Sequence, residues 1–285
     1  SVLVLVLVLI LLLRPLLPRG PPRVLLRGAM RRALPRLLAG TGASVPGKSP
    51  PRLALIHAMQ PSIASSLPAF RQLWPEAELV HLLDDSLARD VGRTGLDESM
   101  ERRFLALGHY AHGAAGCSGI LYTCSAFGSA IEAVQRQLRS DSFPVLKPNE
   151  AMMAEAARLG RCTGAPVAVF SIFQPTLPSI LRELQDIGGR DLQLRPHFIA
   201  GSLDALNAGD EERCIRIIAE YVASVVVAAQ REQGDLACVA FAMFSMARAR
   251  AATEELLAQA LGPKAPPVLT SPDSAVLRMK ELLGH

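Results

Sequence analysis

The sequence predicts an α/β fold of two similar lobes, each a parallel sheet flanked by helices, with an active site in the cleft between them. Three observations carry this. From about residue 51 onward, short apolar runs alternate with longer amphipathic stretches, the order expected of βαβ units. The apolar runs are continuous rather than alternating, as in strands buried on both faces. The order of elements in the first half then recurs in the second.

The elements follow in sequence. RLALIH (52–57) is a buried strand feeding a loop, 62–73 has helical spacing, and ELVHLL (78–83) is a second strand. Residues 97–115 form a long amphipathic helix with Asp97 placed to cap it. GILYT (119–123) is a third strand that stops at Cys124, 129–138 is helical, and 144–146 is a short strand before a helix opening near Asn149. The alternation then restarts with strand 166–172, helix 177–186, strand 192–198 and helix 211–233. It closes with strand 236–243, helix 247–261, strand 268–270 and helix 273–283. GILYTCSAFGSAI followed by FPVLKPNEAM is echoed by VAFAMFSMARA followed by PPVLTSPDSAV, in the same order and at similar spacing. The expected organisation is an N-terminal extension over 1–50, a first lobe over 51–160 and a second over 161–285, and a crossing of chain ends between the lobes is left open.

Composition narrows the function. Half of the 285 residues are hydrophobic and only 5% aromatic, which suits helix-on-sheet layers better than an aromatic-rich sandwich. The formal charge of +4 is unevenly placed. Residues 1–50 carry eight cations and no acid, and subtracting these from +4 leaves −4 for the rest. A mildly acidic body gives no footprint for nucleic acid, despite a pI near 9.0. The apolar run 1–13 is too short to span a bilayer, and its positive charge follows it rather than preceding it. The readings open for 1–50 are a disordered extension with a start at Met30, an organelle transit peptide over MRRALPRLLAGTGAS, and a membrane anchor. For the body the sequence points to a cytoplasmic protein with no membrane contact. Its five scattered cysteines, without a C-x-x-C pair, suit a reducing compartment.

Cys124 is the residue on which chemistry is expected. A thiol at a strand-to-helix turn meets free backbone N–H groups and the positive end of a helix, which favour the thiolate. The competing reading is a small buried hydrophobe. Cys117, Cys162, Cys214 and Cys238 fall in a loop, a connection, a helix and a buried strand, where structural roles are expected. His109 and His112 at i and i+3, with Cys117 nearby, lack a fourth metal ligand, and a solvated helix face explains them more simply. His57 ends the first strand, as a substrate contact or as a loop histidine. Asp84, Asp85 and Glu150 read as caps or helix starts. No phosphate loop, dinucleotide fingerprint, H-E-x-x-H or G-x-S-x-G elbow occurs. Chemistry by side chains alone, with no cofactor and no metal, is the expectation.

At TCSAFGSAIEA, PVLKPNEAM, FSIFQPTLPSI, FSMARA and PVLTSPDSAV, in that order between about Arg52 and Leu283, the chain resembles the aspartate/glutamate racemase superfamily, which includes hydantoin racemases and arylmalonate decarboxylase. The resemblance implies two lobes, no cofactor, a small carboxylate substrate, and a thiol that moves a proton at the carbon next to the carboxylate. It leaves homo-oligomerisation open. Carried over by motif, Cys124 takes the first cysteine position, with Ser125, Ala126 and Phe127 as the adjoining anion-binding turn. His57 matches the loop after the first strand. Ser171 to Thr176 match the polar loop of the second lobe, with Ile172 and Phe173 where hydroxyl residues are common. The chain departs from the pattern at A-M-F-S-M. Two-base racemases place a second cysteine there, and this chain has Met243 or Phe244, with Ser245 following. The implied function is cofactor-independent proton transfer α to a carboxylate. The alternatives are a one-thiol decarboxylase or lyase of substituted malonates, and a carboxylate-binding protein without catalysis.

Overall fold

The computed structural model describes residues 50–140 and 142–285. The expectations for the N-terminal extension lie outside these residues, save for Pro50. Within them lie two four-stranded parallel sheets of identical order. The first has β1 (Arg52–His57), β2 (Glu78–Leu83), β3 (Gly119–Tyr122) and β4 (Val145–Leu146) in the order β2-β1-β3-β4. The second has β5 (Val167–Ser171), β6 (Leu194–Phe198), β7 (Cys238–Phe241) and β8 (Val268–Thr270) in the order β6-β5-β7-β8. The halves therefore superimpose by register, with Leu53 of β1 opposite Gly119 of β3, and Val167 of β5 opposite Cys238 of β7.

Alternate residues of each strand feed opposite faces of the sheet, so continuous apolar strands serve two cores. In the first sheet Ala54, Ile56, Ile120 and Tyr122 meet α3 (Glu98–His112) and α4 (Gly128–Leu138). Leu53, Leu55, Leu121 and Leu146 meet α1 (Pro61–Leu73) and α10 (Ser271–Leu282). In the second sheet one face meets α8 (Glu211–Gln233) and α9 (Arg250–Leu261). The other meets α5 (Glu150–Thr163) and α6 (Leu177–Gly188). The helices after the fourth strands are thus exchanged. Met152, Met153, Ala156 and Ala157 of α5 pack on the second sheet, while Ala275, Val276 and Met279 of α10 pack on the first. Ser271 Oγ donates to Asn149 Oδ1 at 2.8 Å where the two crossing segments meet. Gly119 makes room for this arrangement, since a Cβ there would lie 2.9 Å from Met279 Sδ.

The sequence spacing misses two helices, α2 (Leu87–Thr94) and α7 (Ser202–Asn207). Segment α2 is polar, and tertiary contacts hold it. Leu87 is fully buried, and Arg103 of α3 bonds both Asp84 (2.5 Å) and Asp90 (2.7 Å). Asp97 caps α3 as its position suggests, accepting from Met100 N–H at 2.9 Å. Cys162 lies in the last turn of α5, not in a connection. Among the described residues no helix is long and apolar enough to cross a membrane.

Candidate active site

The sulfur-bearing turn forms because β3 runs out of apolar residues. After Tyr122 come Thr123 and Cys124, and the chain tightens into a 3-10 turn over Ser125–Phe127 before α4. Phe127 anchors the turn from below, its ring 5.0 Å from that of Phe104 in the core. Cys124 is half-buried, with extended backbone angles of φ −130° and ψ 119°. Burial pushes its thiol above the ordinary cysteine value, and a hydrogen bond from the Ala126 backbone offsets only part of that. The expectation of a turn that favours the thiolate is therefore corrected in direction. Desolvation outweighs the turn, and the protonated thiol is favoured.

The second sheet repeats the device. Met243 follows β7 by two residues, has φ −118° and ψ 139°, and precedes a 3-10 turn over Phe244–Ala249. The strand registers align Tyr122 with Phe241, Thr123 with Ala242 and Cys124 with Met243. Among Met243 and Phe244, Met243 is thus the counterpart of Cys124.

Cys124 and Met243 both line one cavity of about 690 Å³, with Ser125, Thr176, Phe244 and Ser245 also on its wall. Four of the sequence-based candidates stand elsewhere. Phe127 is core. Ala126 does not line the cavity and acts through its N–H on Cys124. Ser171 is fully buried and holds the loop to Thr176, its Oγ donating to Phe173 O at 3.0 Å and lying 3.2 Å from Thr176 Oγ1. His57 is also fully buried, beneath the cavity. Its Nδ1 lies 2.9 Å from Thr123 Oγ1 and its Nε2 3.0 Å from His81 Nδ1. Thr123 donates to Ile56 O, so His57 Nδ1–H donates to Thr123 and His81 donates to His57 Nε2. Burial and the neighbouring His81 lower the His57 pKa to about 4, so its imidazole is neutral.

The cavity also holds groups that sequence reading passes over. Arg248 lies on its wall, with a side chain only 18% exposed. The guanidinium pairs with Glu211 Oε1 at 2.9 Å and donates to Ser245 O at 2.9 Å and to Ser65 Oγ of α1 at 3.2 Å. Asn149 is buried on the same wall with its Oδ1 taken by Ser271. The only trace of Arg248 in the sequence is a charge five residues past Met243, where the same count from Cys124 reaches Ser129. Among the described residues no three His, Cys, Asp or Glu side chains cluster as metal ligands would.

No protein-family model matches the chain, and no curated protein matches it by sequence. Solved structures do match. An aspartate racemase homologue from Pyrococcus horikoshii superposes with a TM-score of 0.54 at 14% identity, over 82% of this chain and 99% of that one. The fold is that of the aspartate/glutamate racemases. The aspartate racemase of Picrophilus torridus gives 0.53 at 13% identity, over 82% of this chain and 94% of its own. Allantoin racemase from Klebsiella pneumoniae gives 0.53 at 18% identity, over 82% and 87%. In the racemase fold as this chain builds it, the carboxyl ends of both middle strands open on one cavity, where parallel sheets place their ligands.

Proposed function

We propose that the protein is a cofactor-independent enzyme of the isomerase type that moves a proton at the carbon α to a carboxylate, with Cys124 as the acid/base. The observation that carries this reading is the placement of a half-buried thiol at the end of β3, on the wall of the inter-sheet cavity. To act as base, Cys124 first loses its proton to solvent; the thiolate then takes the α-proton, and the electron pair passes into the carboxylate as an enediolate. Backbone N–H groups of the turn after Cys124 stabilise that charge, and the thiol returns a proton to the face it left, giving exchange at the α-carbon with retention. Thr123, tied to His57, fixes the backbone from which Cys124 projects.

Met243 favours a second reading. A thioether neither gives nor takes a proton. With a protonated thiol on one side alone, the site suits a one-thiol decarboxylase or lyase. In that reaction the C–C bond to a leaving carboxylate breaks, carbon dioxide departs, and the resulting carbanion takes the Cys124 proton. Solvent then reprotonates the thiolate.

The test is a panel of single-enantiomer amino acids, hydantoins and substituted malonates, assayed with and without chelator and followed by chiral chromatography. Solvent exchange at the α-carbon without decarboxylation supports the first reading, and carbon dioxide release with one product enantiomer supports the second. Activity lost to chelator and restored by a metal contradicts both.

A further inference from the structure

A thiol that exchanges an α-proton must trade protons with solvent, and a ligand lying against Cys124 covers that thiol on the cavity side. The first sheet offers another route. Thr123, on the cavity wall beside Cys124, stands in a row with His57 and His81 across β3, β1 and the edge strand β2. The three share parity with Leu121, Leu55 and Leu79, and so point to the one sheet face on which those leucines pack. The Thr123 N–H continues the ladder onto Ile56 O at 3.1 Å, which holds its hydroxyl level with the end of β1. The result is an unbroken hydrogen-bonded chain, 2.9 Å from Thr123 Oγ1 to His57 Nδ1 and 3.0 Å from His57 Nε2 to His81 Nδ1.

The ends of this chain differ from its middle. His57 is fully buried, so bulk water does not touch its ring. His81 is only partly buried on β2, and its Nε2 has no hydrogen-bond partner among the described residues. At the other end Thr123 Oγ1 donates to Ile56 O at 3.3 Å, a long bond that is readily given up. An imidazole takes a proton on one nitrogen and releases one from the other, which suits it to shuttling. His57, held neutral by burial, does not trap the proton in passage.

We infer, resting on the proposed thiol chemistry, that His81, His57 and Thr123 form a proton relay between solvent at the β2 edge and Cys124 in the cavity. Inward, a proton from water binds His81 Nε2 and the His81 Nδ1 proton passes to His57 Nε2. The His57 Nδ1 proton then passes to Thr123 Oγ1, and the Thr123 hydroxyl proton goes to the Cys124 thiolate. One proton enters and one leaves, and both rings change tautomer. The hydrogen bonds now point outward, so loss of the Cys124 proton along the same path restores the starting state. A thiol that alternately gives up and regains a proton, as α-exchange requires, thus resets the relay without a ring flip. His57 and His81 act through Cys124 and are positioning residues for its proton.

Nuclear magnetic resonance of the full chain with isotope-labelled histidine tests the path without any substrate. The His57 Nδ1–H is expected to exchange with water at least about tenfold faster in wild type than in His81→Asn, whose amide keeps a hydrogen bond but has no second nitrogen to load. Solvent deuterium uptake by the best substrate of the panel tests the destination. There His81→Asn is expected to lower kcat by at least about tenfold with KM unchanged, short of the hundredfold of a direct acid/base group, and imidazole in the buffer is expected to restore His81→Ala. A merely structural role for His81 gives neither the exchange difference nor the rescue. Equal His57 exchange in wild type and His81→Asn overturns the relay, as does full turnover in that variant. If the variants do not fold, wild-type turnover in mixtures of light and heavy water decides. Several protons moving together bend the plot downward, and a straight line overturns the relay. Unchanged turnover in Cys124→Ala overturns the proposed function, whereas slow His57 exchange beside Cys124-dependent turnover overturns the relay alone.

Discussion

Met243 stands in the second sheet where Cys124 stands in the first. Each follows its middle strand by two residues and precedes a 3-10 turn with extended angles, −118°/139° and −130°/119°. The backbone device is duplicated and the chemistry is not. One thiol and one thioether face a shared cavity, and the functional reading follows from that asymmetry.

Cys124→Ala is expected to lower turnover by at least about a hundredfold, the scale of a positioned acid/base group, with the melting temperature nearly unchanged. Because burial raises the thiol above its ordinary 9.0, steps that need it as a proton donor persist through neutral pH. They should fall only as pH rises beyond that value. Steady-state rates across pH, for wild type and variant, check both statements.

Met243→Cys restores a second thiol at the equivalent place. The expected result is slow appearance of the opposite enantiomer from a single-enantiomer product, seen by chiral chromatography. A variant that folds, carries two titratable thiols in the cavity and still yields one enantiomer would show that position 243 does not reach the reacting carbon.

His57 predicts a pH dependence of stability. Its folded pKa is lowered from 6.5 to about 4, so between these values the unfolded chain binds more protons. Stability from this group is complete above about pH 6.5 and is lost as pH falls toward 4, by up to about 3 kcal/mol. In His57→Asn, which keeps a donor for Thr123, urea denaturation at neutral pH and at acid pH should show a shallower loss than wild type. Equal slopes would remove His57 as the cause.

Much of the fold is readable because continuous apolar strands announce themselves. RLALIH and ELVHLL match β1 and β2 residue for residue, since each is an apolar run bounded by polar or loop residues. The segments α2 and α7 are not readable. Each is short, and their order comes from Leu87 and the Arg103 pairs in one case and from Ala205 and the Ser202–Ile199 hydrogen bond in the other. The same division holds at the site. Cys124 is legible because it ends a strand, and Met243 because the repeat aligns it with Cys124. His57 is legible as a strand end, but its burial under Thr123 depends on His81 across the sheet. Arg248 becomes visible only when α1 of one sheet packs against the turn of the other.

Met279 tests the helix exchange. It is 1% exposed on α10 yet packs with Leu53, Leu55 and Leu121 of the first sheet, more than 150 residues away in sequence. Met279→Ala is expected to cost about 2–5 kcal/mol, as for a large core side chain truncated beside rigid strands. Chemical denaturation measures it. A loss under about 0.5 kcal/mol, the scale of a surface change, would mean the C-terminal helix does not seal that core.

The central claim is that proton transfer runs through one thiol on one face. Turnover in heavy water with the best substrate from the panel, followed by chiral chromatography and mass spectrometry, reads it directly. The account predicts deuterium at the α-carbon in a single configuration, abolished in Cys124→Ala. Rapid formation of both enantiomers by the wild type, each carrying solvent deuterium, would contradict it.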